Sequence, residues 1–562
     1  MGSVRSVTEM KSRLAEVRLK TAAAAWSEPL LDSGLWNHGD IRNNFYAASA
    51  LFAICCDPEA EAPCDRQAGK EKASGVLLTV LSLQDGDPGS PTYGHWPLGL
   101  HPEPRLAPIN PLPAELMGCL LIWFADRYGE EMGPSLAQAV DTAIDRLYGS
   151  AYYRVAQRTF GHHEAKYTAA KLLLGERYAD ADLREAGLHD LRLTLARVRE
   201  QGMAEYGALP WFWHWVQAFV CVKDVVRDPA VQSGAAELLD ALWTYRARHY
   251  LGGAWAGGRM RSLPADLPRD GNVAFDYVQF GDFALPDPLP RVEYAGFLLH
   301  VAPASARREA LDRSATAETK RRIHPVGEAR SPLHSYLFSA SGFAVGGLIE
   351  RAAEFDNEQH RWEVTLPLSA VEGANRLYFF PRGEGYSPGD PRHASDGGET
   401  LYHRGTAIAL YPKAGDGIAG VLPKGEWIFR ESAWFGCASG VLLAVYPFGD
   451  CKAVESASRF NCEGAPGRHG FVVEAADAAQ AAKRLGIVAQ SIDSKGLLRA
   501  YGDRMEGRRP SWTGEGSSGD AFGVVYETLE GDRLELAATA AETPLRRLNG
   551  AALDLADYAE GI

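Results

Sequence analysis

Along the first 310 or so residues, apolar side chains recur every three to four positions. LAEVRLKTAAAAW, FYAASALFAICC, PAELMGCLLIWFADRYG, SLAQAVDTAIDRLYG, EAKYTAAKLLLGERY, LREAGLHDLRLTLARVREQG, FWHWVQAFVCVKDVV and AAELLDALWTYRARHY each carry one apolar stripe. That spacing predicts amphipathic helices. Several end in Gly or run into a loop with Gly or Pro, the residues that stop helices. A run of such helices with short connections predicts antiparallel neighbours in a bundle, a solenoid or an α/α toroid. No fixed-period repeat marks the common helical solenoids.

The pattern then changes. ALDRSATAETKRRIHPVGEARSP, within about 310–332, is charged and weakly apolar, and predicts a linker ending in an extended segment. Beyond it apolar and polar residues alternate. HSYLFSASGFAVGGLIE, HRWEVTLPL, NRLYFFP, TAIALYP, GIAGVLP, VLLAVYPFG, HGFVVEAA, AFGVVYETL and DRLELAATA are strand-like and separated by turn residues. An antiparallel β-sandwich is expected. The predicted organisation is therefore a multidomain α+β chain: helical over 1–310, a linker over 311–333, and a sandwich over 334–562.

Composition narrows the picture. Lys and Arg number 58 against 72 Asp and Glu, for a net charge of −14. An acidic surface disfavours nucleic acid as a partner, though a local basic cleft still suits an acidic sugar. No stretch is long and apolar enough to span a bilayer, so no membrane partner is expected. MGSVRSVTEMKSRLAEVRLK has no apolar signal core and reads as a helix start, which leads to the expectation of a cytoplasmic protein. Its first six residues also fit the N-myristoylation pattern, as short expression starts do. The eight cysteines form no CxxC and suit reduced thiols, with a bridge between Cys451 and Cys462 as the alternative.

Cofactor motifs fail on context. GxGxxG occurs as GDGIAG (Gly415–Gly420) and GEGSSG (Gly514–Gly519), but both lie in the strand region with no helix after them. They predict turns rather than a dinucleotide site. Walker A, HExxH and GxSxG are absent. His162-His163-Glu164 is a loose metal pattern, because adjacent helical residues point about 100° apart. No cofactor is expected.

Polar and aromatic residues gather near the predicted helix ends. The clusters are Trp36-Asn37-His38 with Arg42-Asn43-Asn44, then Tyr93 to Trp96, His101 through Asn110 to Glu115, and Gly161 to His163 with Tyr167. Glu205-Tyr206 through His214 and Arg259-Met260-Arg261 complete them. Taken singly, each is a cap or a solvated residue. In a ring of helices, loops at one end meet around a cleft. The richest stretch, GMAEYGALPWFWHWVQAF (Gly202–Phe219), puts Tyr206, Trp211, Phe212, Trp213, His214 and Trp215 within ten residues. Core packing and a ligand wall both explain it.

The whole pattern resembles the toroid-plus-sandwich polysaccharide lyases, in particular heparinase II/III-like and alginate-lyase-like proteins. Gly202–Trp215 and the later GGRMRSLP are similar to a Gly-x-x-Glu-Tyr turn with an aromatic helix, and to a Gly-x-x-Ser-Arg-like loop, in bacterial members. Gly207-Ala208-Leu209 stands where those proteins usually carry Asn-Ser-Pro, and His162-His163 stand where an Asn is frequent. The resemblance implies an α/α toroid and cleavage of an acidic oligosaccharide by β-elimination. Such a reaction removes the C5 proton of a uronate and expels the 4-O substituent. It needs neutralisation of the sugar acid and a proton-transfer pair. Tyr206 with His162 or His163 is expected to move protons, and Asn110 and Arg261 to bind the acid. Glu205, Trp211, Trp213, His214, Arg42 and His95 are expected to line the substrate, with the two tryptophans stacking on sugar faces. A glycoside hydrolase is the alternative enzyme, with Glu205 paired to Glu164, Asp276 or Glu115. A non-catalytic carbohydrate binder is the third reading.

Overall fold

In the computed structural model each apolar stripe of the first half is a helix. The structure describes residues 2–205, 207, 209–259, 273–289, 298–324, 331–350, 361–368, 373–382, 398–487, 493–514, 522–538 and 543–561. The helices are α1 (Gly2–Ser27), α2 (Ile41–Cys56), α3 (Arg66–Ser82), α4 (Leu112–Tyr128), α5 (Pro134–Ser150), α6 (His162–Arg177), α7 (Ala181–Gln201), α8 (Leu209–Val225), α9 (Pro229–Arg248), α10 (Val273–Gln279) and α11 (Ala304–Leu311). Their ends follow local chemistry. Asp40 accepts from the amide of Arg42 at the start of α2, and Asp65 from that of Ala68 at the start of α3. Each satisfies an amide that the helix itself leaves without a partner.

The chain divides into two compact units. One comprises Met1–Glu200, Pro210–Tyr245 and Gly271–Arg307; the other Gln201–Leu209, Arg246–Asp270 and Arg308–Ile562. In the first, α4 packs against α2, α5 and α6. Residues 113–124 of α4 are buried all round, as a helix covered by neighbours on several sides must be. A two-residue ribbon, Trp96–Pro97 against Ile109–Asn110, leads into it.

The second unit is strand-rich. An eight-stranded antiparallel sheet runs, in spatial order, Cys451–Glu455, Arg459–Gly464, Ile418–Pro423, Arg376–Pro381, Trp362–Thr365, Ala344–Leu348, Leu333–Ser339 and Ala317–Ile323. A six-stranded sheet runs Glu399–His403, Thr406–Ala414, Gly467–Asp477, Val441–Phe448, Ala433–Ala438 and Glu426–Arg430. A five-stranded sheet runs Ser511–Thr513, Phe522–Glu527, Arg533–Ala538, Leu545–Leu548 and Ala551–Ala552. Ala317–Ile323, expected within a linker, is an edge strand in register with Leu333–Ser339.

The six-stranded sheet is covered on both faces. Ala407, Ala409, Tyr411, Val445 and Phe471 pack with Val345, Val364, Leu377 and Phe379 of the eight-stranded sheet. The rings of Phe379 and Phe471 stack with centroids 3.8 Å apart. Ile408, Leu410, Leu442, Ala444 and Val472 face the other way. They pack with Phe522, Val524, Leu534 and Leu536 of the five-stranded sheet and with Leu498, Tyr501 and Met505 of a helix, Ser494–Glu506. Successive strand residues point to opposite faces, so this strand rhythm feeds two cores.

All eight cysteines are free thiols. Cys451 pairs across the ladder with Gly464, and Cys462 with Ala453, so the two sulfurs are not opposite each other. GDGIAG is a turn into the strand Ile418–Pro423, with Gly417 at φ +84. The GEGSSG stretch, apart from Gly514, lies outside the described residues. No described helix is long and apolar enough to cross a membrane.

Candidate active site

The first turns of α4 and α6 build a charged constellation in the helical unit. Pro111 and Pro113 suit the start of α4, where the first amides need no helical partner. Asn110 accepts from the Leu112 amide through Oδ1 at 2.9 Å. Glu115 follows in the first turn, where the helix dipole favours a carboxylate. On α6, His163, Lys166 and Tyr167 stand three and four residues apart and so share a face. All three converge on Glu115. His163 Nδ1 lies 2.7 Å from Oε2, Lys166 Nζ 2.6 Å from the same oxygen, and the Tyr167 hydroxyl donates to Oε1 at 2.8 Å.

Burial separates their roles. The side chains of Glu115 and Lys166 are each 3% exposed, whereas that of His163 is 44% exposed. Burial pushes the Glu115 carboxyl up, but the hydrogen bonds and charges of His163 and Lys166 outweigh it and hold the group at about 2. Burial, reinforced by Glu115, raises the Tyr167 phenol, which therefore stays protonated and can donate. A carboxylate fixed on Nδ1 selects the imidazole tautomer with its proton there, and leaves Nε2 as the acceptor.

Other sequence-predicted residues adjoin this group. The His162 ring lies 4.1 Å from that of His163, and 5.6 Å from His214 on α8. His95 precedes the ribbon strand that pairs with Asn110, and its ring meets Tyr152 at 5.6 Å. Tyr152 in turn meets Tyr167 at 5.8 Å. Burial holds the His95 ring below its usual range, against the opposing pull of the Pro111 backbone and Glu115. His95, Asn110, His162, His163 and His214 thus surround one region, with Glu115, Tyr152, Lys166 and Tyr167 among them. Lys166 carried no sequence signal of its own. Only its spacing from His163 places it on the same face.

The remaining expectations are met differently. Trp213 is 0% exposed, stacked on Phe275 at 4.9 Å and close to Trp243 at 5.6 Å. The sugar-stacking role expected of it is replaced by core packing, because no face of the ring reaches solvent. Phe212, Trp215 and Phe219 are buried with it, so the visible part of the aromatic helix is core. Arg42 folds back on Asp40, which it grips through Nε and Nη2 at 2.7–3.1 Å. Glu164 turns away from the histidines, and its Oε2 accepts the amides of Arg158, Thr159 and Phe160 at 2.8–2.9 Å. Among the described residues no group of three or more metal-ligating side chains forms.

Tyr206, Arg261 and the Trp211 side chain lie outside the described residues. Described residues next to Tyr206 and Arg261 in sequence belong to the strand-rich unit. Gly207, at φ +66, meets the other quoted segment so closely that a Cβ would lie 2.7 Å from Arg259 Cα and 2.8 Å from Gly258 O. Gly207 and the described start of the second segment, Gly257–Arg259, are therefore neighbours in this unit. Arg259 is buried, with Nε 3.5 Å from Glu363 on the eight-stranded sheet. Burial raises the Glu363 carboxyl to about 7, against the lowering influence of Arg259 and Thr365. The sequence marked Arg259 only as a member of the Arg259-Met260-Arg261 cluster, without a role, and did not mark Glu363.

No family model matches the chain, and no curated protein does. Among solved structures, a chondroitinase AC lyase studied as enzyme–oligosaccharide complexes is 8% identical, covering 97% of this chain and 92% of that one, with a TM-score of 0.44. A chondroitin AC lyase of Streptomyces coelicolor A3 in complex with chondroitin sulphate is 11% identical over 95% and 85%, with a TM-score of 0.45. A heparinase III is 9% identical over 89% and 84%, at 0.38. Over most of its length the chain is thus similar, at low identity, to solved polysaccharide lyases.

Proposed function

We propose that the protein is a lyase that cleaves an acidic, uronate-containing oligosaccharide by β-elimination, with the helical unit arranged as an α/α toroid. One observation carries the reading: a half-exposed histidine whose Nδ1 is anchored on a buried carboxylate. That is the arrangement of a general base. In the neutral form His163 accepts the C5 proton at Nε2, and Glu115 stabilises the imidazolium that results. Lys166 helps keep Glu115 ionised, so the carboxylate is still charged beside the imidazolium once the proton has arrived on His163. His162, His95 and His214 supply further donors to the sugar or its acid. Tyr206 as the proton-returning phenol, and Asn110 and Arg261 as acid-binding groups, complete the proposal from the sequence.

A two-carboxylate hydrolase finds less support. It needs a protonated acid facing a second carboxylate. Glu115 is held ionised by His163 and Lys166, and one oxygen of Glu164 is engaged by three backbone amides.

The test is an absorbance screen of uronate oligosaccharides, in which a lyase forms an ultraviolet-absorbing unsaturated product and a hydrolase forms only reducing ends. His163→Gln should lower turnover by about 10²–10⁴-fold with little change in stability, because the ring is partly exposed. Wild-type turnover in that variant rejects His163 as the base. Reducing ends without ultraviolet absorbance reject the lyase.

A further inference from the structure

Three of the eight cysteines, Cys55, Cys56 and Cys64, stand at the end of α2 and in the turn that leads to α3. Two of their sulfurs meet over a glycine. A Cβ on Gly69, in the first turn of α3, would lie 2.4 Å from Cys55 Sγ and 2.8 Å from Cys64 Sγ. The missing side chain leaves the space that both sulfurs share, and the two thiols hydrogen-bond to each other. The turn between them is braced. The Arg66 guanidinium donates to the carbonyls of Ile54, Asp57 and Ala60 at 2.9, 2.6 and 2.5 Å. Asp65, the residue before it, caps α3 through the Ala68 amide. Cys56 is placed differently, because adjacent helical residues point about 100° apart. It lies beside Lys70, which is paired with Glu131 at 2.6 Å.

We infer that Cys55 and Cys64 are a modification site, a dithiol that a small-molecule disulfide converts into an intrachain disulfide joining the end of α2 to the start of α3. Exchange begins when a thiolate attacks a disulfide sulfur. Cys64 is half-buried and Cys55 fully so, which makes Cys64 the thiol that meets the reagent. It gives its proton to solvent and attacks one sulfur; the S–S bond of the reagent breaks, and one half leaves as a thiolate. Cys55 then loses its proton, its sulfur attacks Cys64 Sγ, and the second half leaves. Two chain thiols are oxidised to one disulfide, and the reagent is reduced to two thiols. Burial, with Cys64 adding to it, pushes the Cys55 thiol up to about 12, so Cys55 reacts second, on a sulfur already beside it. The brace of Arg66 holds the turn in one shape before the bond forms, so closing it asks little of the backbone. The new bond restricts the unfolded chain, as any closed loop does.

The experiment treats the full chain with oxidised glutathione at mildly alkaline pH, alkylates the remaining thiols after denaturation, and maps the peptides by mass spectrometry. Cys64→Ser and Cys56→Ser are treated in the same way. The parent should yield a peptide in which Cys55 is joined to Cys64. Its melting temperature should rise by roughly 5–10 °C, as expected for a closed loop of about ten residues, and fall back on reduction with dithiothreitol. Cys56→Ser should behave as the parent does. Cys64→Ser should lose both the linked peptide and the rise in melting temperature. Recovery of Cys55 and Cys64 as free thiols from the treated parent overturns the inference. So does a glutathione adduct that persists on Cys64 while Cys55 stays free, and so does a link from Cys56 to Cys64. None of these readouts involves turnover, so the inference stands or falls apart from the lyase reading.

Discussion

Glu115→Gln removes the charge on which His163, Lys166 and Tyr167 converge, and its cost can be worked from the structure. The folded carboxyl sits at about 2 instead of 4.5. That difference carries about 3 kcal/mol of stability. The sign follows from the lowered value. The contribution is present above the unfolded value and is lost as pH falls from about 4.5 towards 2. The glutamine also strands Lys166, whose side chain is 3% exposed. Breaking a buried pair from one side costs about 3–5 kcal/mol, in agreement with the first figure. A helical unit of this size should therefore melt roughly 6–20 °C lower at pH 7. Circular-dichroism melts at pH 7 and pH 3 provide the check. Over that interval the variant should lack the roughly 2 kcal/mol that Glu115 adds to the parent's acid destabilisation. Adding Lys166→Met should return much of the stability, because removing both members of a buried pair is close to neutral. A single variant within about 1 kcal/mol of the parent at pH 7, with the parent's acid slope, refutes the buried-charge account of this site.

Two further outcomes follow from geometry. Trp213→Ala empties a core position between Phe275 and Trp243, so it should cost about 3–5 kcal/mol in denaturant titrations while KM of the remaining folded enzyme stays unchanged; a raised KM without lost stability restores the sugar-stacking role. Gly207→Ala meets both a positive φ and a backbone atom 2.7 Å from its Cβ, so it should lose at least about 2 kcal/mol and most activity, and a neutral result in thermal melts contradicts the close approach of the two segments.

The sequence was most legible where one face of an element is buried. The stripes of α4, α6 and α8 and the alternation of Thr406–Ala414 and Gly467–Asp477 announced themselves. α3 escaped because its first half is RQAGKEKA, in which Gly69 and Ala73 are the buried positions and carry almost no hydrophobic signal. Ala317–Ile323 escaped because edge strands carry charge, and TKRR reads as a linker. The helices Ala478–Arg484 and Ser494–Glu506 were lost inside a region dominated by period two. At the candidate site, the histidines were visible as residue types near helix ends. Glu115 was marked as a residue, but its pairing with His163 was not, since the two are 48 residues apart and only the packing of α4 on α6 joins them. Trp213 shows the opposite error. An aromatic cluster advertises area but not which side of it will be wet.

The doubly covered six-stranded sheet has a consequence for how the chain comes off the ribosome. Its strands all lie between residues 399 and 477, but one of its apolar faces is closed by strands that begin at Ser511 and end at Ala552. Until those segments emerge, Ile408, Leu410, Leu442 and Val472 have only the helix Ser494–Glu506 to pack against and lack Phe522, Val524, Leu534 and Leu536, so the nascent sheet presents part of that apolar face to solvent or to a chaperone. A premature stop between Ser511 and Leu536 should therefore yield insoluble protein rather than a shortened, working one, even though the proposed catalytic groups are translated long before.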